Sequence, residues 1–147
     1  MEDFMKKYKL GYTSGVYDLF HIGHLNILSK AKEQCEYLIV AVSTDELVVE
    51  YKKKKPIIPF DERIAIVSAI KFADEVVAQE SLSKVEAWQK YKYNALFGGS
   101  DWAKNDTIIE AEQQLKPKGV DIVLFPYTQS TSSTLLSEVL YRLQEEK

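Results

Sequence analysis

Tyr37-Leu38-Ile39-Val40-Ala41-Val42 is an unbroken apolar run of strand length. A strand with no polar side must be covered on both faces, the situation of a strand inside a parallel sheet. The neighbouring segments supply the covering elements. Leu25, Ile27, Leu28, Ala31 and Cys35 precede the run at helical spacing. Lys9 to Thr13 is a short strand candidate bounded by Ser14-Gly15. Ser43 to Phe60 reads as a polar loop closed by Pro56 and Pro59, and Asp61 as a capping carboxylate opening a helix that contains Ile64, Ile66, Val67 and Ile70. The spacing then predicts a strand at Asp74 to Val77, a helix at Ser81 to Tyr91, and a strand at Ala95 to Phe97 ended by Gly98-Gly99. A helix follows at Asp106 to Lys118, its end marked by Pro117 and Gly119, and a strand at Asp121 to Phe125. The last helix, Ser132 to Gln144, sets Leu135, Leu136, Val139, Leu140 and Leu143 on one face.

Strand and helix therefore alternate five times along the chain. Right-handed crossovers turn such a pattern into an α/β, doubly wound sheet. The expectation is one Rossmann-like domain over residues 1–147, with five parallel strands in the order 3-2-1-4-5 and helices on both faces. Ligands of such sheets bind beyond the carboxyl ends of the strands. The informative segments are then Ser14 to His24, Ser43 to Phe60, Gly98 to Asp106 and Pro126 to Ser133.

The net charge of −3 gives the chain as a whole no attraction for nucleic acid or an anionic membrane. A local basic cluster can still gather a small anion. Cys35 is the only cysteine, so no intrachain disulfide forms, and it reads as a packed small side chain. No apolar run reaches the roughly 18 residues of a membrane span, and Met1 to Lys7 lacks the apolar core of a signal peptide. The expected location is the cytoplasm.

Gly15-Val16-Tyr17-Asp18-Leu19-Phe20-His21-Ile22-Gly23-His24 holds the only two histidines, where a strand hands over to a helix. Positions three apart share one side of a helix start. Gly23 allows close approach, and a helix N-terminus favours anions. Two imidazoles there suit donation to phosphate oxygens during a displacement. The same pair also fits one capping and one surface histidine, or a zinc site completed by carboxylates. Lys52-Lys53-Lys54-Lys55 before Pro56 fits either a solvated loop or a phosphate-gathering cluster. Arg63 fits an ion pair with Asp61 or Glu62, and Trp102 fits packing against its own loop. Tyr127 to Thr134 fits a hydroxyl-rich cap or a second phosphate cradle.

Gly15 to His24 resembles the signature of the nucleotidyltransferase α/β-phosphodiesterase superfamily, whose core is His-x-Gly-His. It is most similar to the Gly-Thr-Phe-Asp-x-x-His-x-Gly-His of the cytidylyltransferase branch, with Val16 and Tyr17 in place of Thr and Phe. Ser43-Thr44-Asp45-Glu46, Arg63 and Gly99-Ser100-Asp101-Trp102 match the same branch, and the resemblance runs from about Leu10 to Leu140. It is nearest to the bacterial glycerol-3-phosphate cytidylyltransferases. The branch pattern Arg-Thr-x-Gly-Ile-Ser-Thr-Thr departs here, with Tyr127 for Arg, Ser130 for Gly and Thr131 for Ile. Thr131-Ser132-Ser133-Thr134 is also similar to the Ile-Ser-Ser-Thr of adenylyltransferases, so the base stays open between cytosine and adenine.

The resemblance implies in-line attack by a substrate phosphate on the α-phosphorus of a nucleotide, with pyrophosphate leaving and no covalent enzyme intermediate. It makes His21, His24, Lys52 and Arg63 the candidate catalytic residues. Gly15, Val16, Tyr17, Gly99, Asp101 and Trp102 would join the histidines around the nucleotide, with Tyr127, Thr128, Ser132, Ser133 and Thr134. Asp18, Lys52, Lys54 and Arg63 would face the second substrate. The implied partners are CTP and a small phosphorylated substrate, glycerol 3-phosphate first, giving CDP-glycerol. Mg2+ would arrive with the nucleotide, without protein metal ligands, and the chain would pair as a homodimer. The alternatives are another phosphorylated alcohol or a phosphonate, the use of ATP, or a non-catalytic nucleotide-binding module. Intact His21, His24 and Arg63 argue against the last.

Overall fold

In a computed structural model of the chain, the apolar run lies within β2 (Cys35–Ser43). Residues 6–126 and 133–145 are described, the latter with side chains from 135 onward. β2 lies between β1 (Tyr8–Gly15) and β3 (Glu75–Gln79) in a five-stranded parallel sheet of order β3-β2-β1-β4-β5. β4 (Ala95–Gly99) and β5 (Asp121–Phe125) complete the other half. The alternation of strand side chains divides β2 between two cores. Leu38, Val40 and Val42 meet Leu28 and Ala31 of α1 (Ile22–Gln34) and Val67 of α3 (Phe60–Ser68). Ile39 and Ala41 join the opposite core with Ile108, Ala111 and Leu115 of α5 (Asp106–Leu115) and partly buried residues of α4 (Lys84–Tyr91). The expected single α/β domain and its strand order are what the structure shows.

Several boundaries differ from expectation. Cys35 is the C-cap of α1 and at once opens β2, and it is fully buried, its thiol donating to the Ala31 carbonyl. The stretch after Ser43 is not all loop, for α2 occupies Asp45–Lys52. The Thr44 hydroxyl accepts from Leu47 N, and Asp45 and Glu46 suit the N-terminal end of the dipole. Only Leu47 and Val48 are buried, too little apolar pattern to betray a helix in the sequence. Asp61 caps nothing. The residue before α3 is Pro59, and the cap comes from Asp45, whose Oδ2 accepts from Phe60 N. Pro117 turns the end of α5 into a 3-10 turn at Lys116–Lys118. α6 (Ser133–Glu145) forms, but Leu135, Leu136, Val139 and Leu143 remain 39–61% exposed in the single chain.

Candidate active site

The carboxyl ends of β1, β2, β3 and β4 open into a cavity of about 770 Å³, to which they contribute Ser14 and Gly15, Ser43, Gln79, and Gly98 and Gly99. The first of its walls is the β1–α1 loop. Tyr17 and Leu19 hold φ of 56° and 51°, the left-handed region that non-glycine residues rarely occupy. Burial offsets that strain at Tyr17, which is 6% exposed with its ring edge-on to His24. A side chain at Gly15 would press against the Tyr17 ring at 3.1 Å.

This loop delivers His21 to the N-cap of α1. His21 Nδ1 accepts from Gly23 N at 3.0 Å, and His24 Nδ1 accepts from His21 N at 3.2 Å. A ring nitrogen that accepts carries no proton, so each neutral imidazole holds its hydrogen on Nε2. Burial lowers the pKa of both rings, and the adjacent His21 helps to push His24 down to about 3. Both rings line the cavity. They are therefore neutral donors at neutral pH.

On another side lie Lys52, at the end of α2, and Lys54 and Lys55 beyond it. Lys53, in the left-handed region with φ 62°, turns the chain there, and all four lysines are exposed. Asp18 reaches across to this loop, its carboxylate accepting from Ile57 N and Ile58 N at 2.7 and 2.9 Å. Arg63 is placed differently from expectation. It is 1% exposed, it does not line the cavity, and its partner is neither Asp61 nor Glu62. Its guanidinium donates to the carbonyls of Ile58, Val16 and Ser43 and pairs with Asp45 at 2.7 Å. Its planar fork is thus turned onto the chain's own acceptors.

Asp101 and Trp102 lie in the 3-10 turn that follows β4 and line the cavity. The indole lies so close over β4 that a Cβ on Gly98 would overlap it. Lys84 sits beneath this ring, its Nζ 5.2 Å from the ring centroid. It is 5% exposed, donates to Ser14 Oγ at 2.7 Å, and lines the cavity. Burial pushes its pKa down to about 8. A buried ammonium with no carboxylate paired to it among the described residues is unusual, because the desolvation is left uncompensated. An anionic ligand would compensate it. Sequence reasoning missed Lys84, although it stands just beyond the carboxyl end of β3, as the other site segments stand beyond theirs. Of the remaining expected residues, Tyr127, Thr128, Ser132 and the side chains of Ser133 and Thr134 lie outside the described residues.

The cytidylyltransferase-like family model matches residues 12–142, nearly the whole sheet and every wall of the cavity. The chain belongs to the cytidylyltransferase-like family. Its members are nucleotidyltransferases, and relatives named as FAD synthases and glycerol-3-phosphate cytidylyltransferases match it over about nine tenths of their own length. The chain is 29% identical over 136 residues to an FAD synthase of Thermococcus sibiricus, covering 90% of each chain. It is 30% identical over 130 residues to a glycerol-3-phosphate cytidylyltransferase of Staphylococcus aureus, covering 88% of this chain and 92% of that one. Among solved structures, a lipopolysaccharide core biosynthesis protein of Thermoplasma volcanium shares the fold, with a TM-score of 0.67 at 19% identity over 84% of this chain and 99% of that one. As in that neighbour, the family fold here is a Rossmann-like one. Among the described residues no helix is long and apolar enough to cross a membrane.

Proposed function

We propose that this nucleotidyltransferase moves CMP from CTP to the phosphate of a small phosphorylated alcohol, glycerol 3-phosphate first, giving CDP-glycerol and pyrophosphate. The observation that carries the reading is the convergence of two neutral imidazoles and one buried, carboxylate-free ammonium on a single cavity. An oxygen of the acceptor phosphate forms the new bond to the α-phosphorus. The bond from that phosphorus to the bridging oxygen breaks, and pyrophosphate takes the electron pair. A phosphate nucleophile needs no base, so the protein's work is placement and charge stabilisation. His21 and His24 donate from Nε2 to oxygens of the reacting phosphate, and Lys84 offers its charge to the acceptor's phosphate. Lys52 and Lys54 add charge at the rim, and Asp101 and Trp102 flank the nucleoside. Among the described residues no three His, Cys, Asp or Glu side chains gather as a ligand set. Mg2+ is accordingly proposed as the companion of the triphosphate. A cytoplasmic homodimer, without a nucleic-acid or membrane partner, belongs to the same reading.

A second reading is AMP transfer from ATP to a phosphorylated acceptor. It is favoured by FAD synthase relatives as similar to this chain as the cytidylyltransferase ones. The test is a panel of the four nucleoside triphosphates against small phosphates and flavin phosphate, read by pyrophosphate release and product mass. CTP with glycerol 3-phosphate is expected to give the highest kcat/KM. A preference for ATP overturns the cytidylyl reading, and pyrophosphate from no pair overturns the proposal altogether.

A further inference from the structure

The sequence run Lys52 to Lys55 brings four like charges onto flexible stems. Such a run has no geometry of its own. Mutual repulsion and side-chain entropy would splay it. Its near end is set by α2, whose last residue is Lys52. Its far end passes through Pro56-Ile57-Ile58-Pro59 into α3, and this limb is held by charged side chains from distant parts of the chain.

Asp18 takes the N–H groups of Ile57 and Ile58, and Asp45 Oδ2 takes that of Phe60. Arg63 Nε donates to the Ile58 carbonyl at 2.8 Å. Its Nη1 ties in Val16, in the loop that leads to His21, at 2.6 Å, and Ser43, at the end of β2, at 2.8 Å. Nη2 closes the set on Asp45 Oδ1. Four of the five guanidinium N–H donors are thus committed to the chain itself, inside a side chain with no exposed surface. Contact with a phosphate would require that set to be dismantled.

We propose that Arg63, with Asp45 and Asp18, is a positioning residue of the transfer reaction: it fixes the lysine loop relative to the histidine loop and touches neither substrate. The proposal rests on the reading above that Lys52 and Lys54 meet phosphates. The reason such a clamp matters is geometric. Transfer between phosphates depends on placement, and a displacement of about 1 Å can cost about 10²-fold in rate. One guanidinium that bonds Val16 on one loop and Ile58 on the other sets that distance directly. Lysine cannot replace it, since a single ammonium cannot span acceptors on both sides of a planar fork.

The test is a double-mutant cycle on the full chain. Arg63→Lys and Asp45→Asn are each made in the natural chain and in a chain carrying Lys52→Ser and Lys54→Ser. One readout is kcat/KM for pyrophosphate release, and the other is affinity for inorganic tripolyphosphate by calorimetry. In the natural chain each substitution is expected to lower kcat/KM about 10²-fold. In the lysine-depleted chain the further loss is expected to be no more than about 2-fold. Tripolyphosphate affinity should be lost in the natural chain and not further lost in the depleted one. Asp45→Asn is the sharper arm, because a carboxylate is no phosphate ligand and leaves Arg63 in place. Equal losses in both backgrounds overturn the proposal, as does full activity of both variants. Loss of the cooperative thermal transition in both also overturns it, since Arg63 would then serve the fold alone. If the natural chain releases pyrophosphate with no substrate pair, the proposed function fails, and the tripolyphosphate arm still decides the clamp.

Discussion

The histidine wall of the cavity is built within one turn of chain, whereas the lysine wall is held from three separate segments. His21, Gly23 and His24 satisfy one another through backbone N–H and Nδ1 atoms at i+2 and i+3 spacing. The loop that carries Lys52 to Lys55 depends on Asp18, Asp45 and Arg63, with partners up to 47 residues apart in sequence. A locally closed motif keeps its geometry wherever the fold puts it. A loop closed by remote partners has its geometry only in the folded chain, and it is the wall that substitutions elsewhere can move. Lys84 belongs to neither wall, and it is buried with no carboxylate paired to it among the described residues.

The comparison is sharpened most by the histidines. His21→Ala and His24→Ala should each lower kcat by about 10²–10³-fold with little change in nucleotide KM, as for donors used in the transition state. Near-normal turnover in both would remove the chemical role of that wall. Lys84→Met should raise KM for the acceptor about 10–10²-fold, the worth of one hydrogen bond to a charged group, while nucleotide KM stays close to natural. The same variant should be more stable at neutral pH by a figure on the order of 1–3 kcal/mol. Its ammonium has a folded pKa near 8, below the ordinary 10.5, so the folded state at pH 7 bears a buried charge that methionine removes. A denaturation midpoint that falls would contradict this, and so would an unchanged acceptor KM.

A further expected effect concerns acid stability. His24 titrates near 3 when folded and near 6.5 when unfolded, so the unfolded chain takes up its proton first as pH falls. The stability it contributes is complete above pH 6.5 and drains between pH 6.5 and about 3, by at most about 1.4 kcal/mol per pH unit. Denaturant unfolding at pH 7 and pH 5 measures the slope, and His24→Gln should flatten it. An unchanged slope would mean that the ring is not held neutral by its surroundings.

Much of the architecture was legible because each signal is periodic or contiguous. The apolar run in β2, the alternation of elements and the Gly98-Gly99 stop need no knowledge of contacts, and they led to the observed parallel α/β sheet. The histidine pair was legible for the same reason, as its partners are near in sequence. α2 was missed because two buried residues, Leu47 and Val48, make no recognisable stripe. The sequence points to Asp61 as the start of α3 because the true cap, Asp45, lies 15 residues upstream of Phe60.

The sequence by itself determined the parallel sheet, the placement of the histidines at a helix start and the concentration of lysine beyond β2. These follow from side-chain periodicity and from capping, which act over a few residues. Only the tertiary structure decided that Arg63 turns inward onto Val16, Ser43, Ile58 and Asp45 while Lys84, which no motif singles out, is buried beside Trp102. The physical reason is that a long charged side chain is placed by the acceptors within its reach. For Arg63 and Lys84 those acceptors belong to residues up to 70 positions away, which no local pattern records.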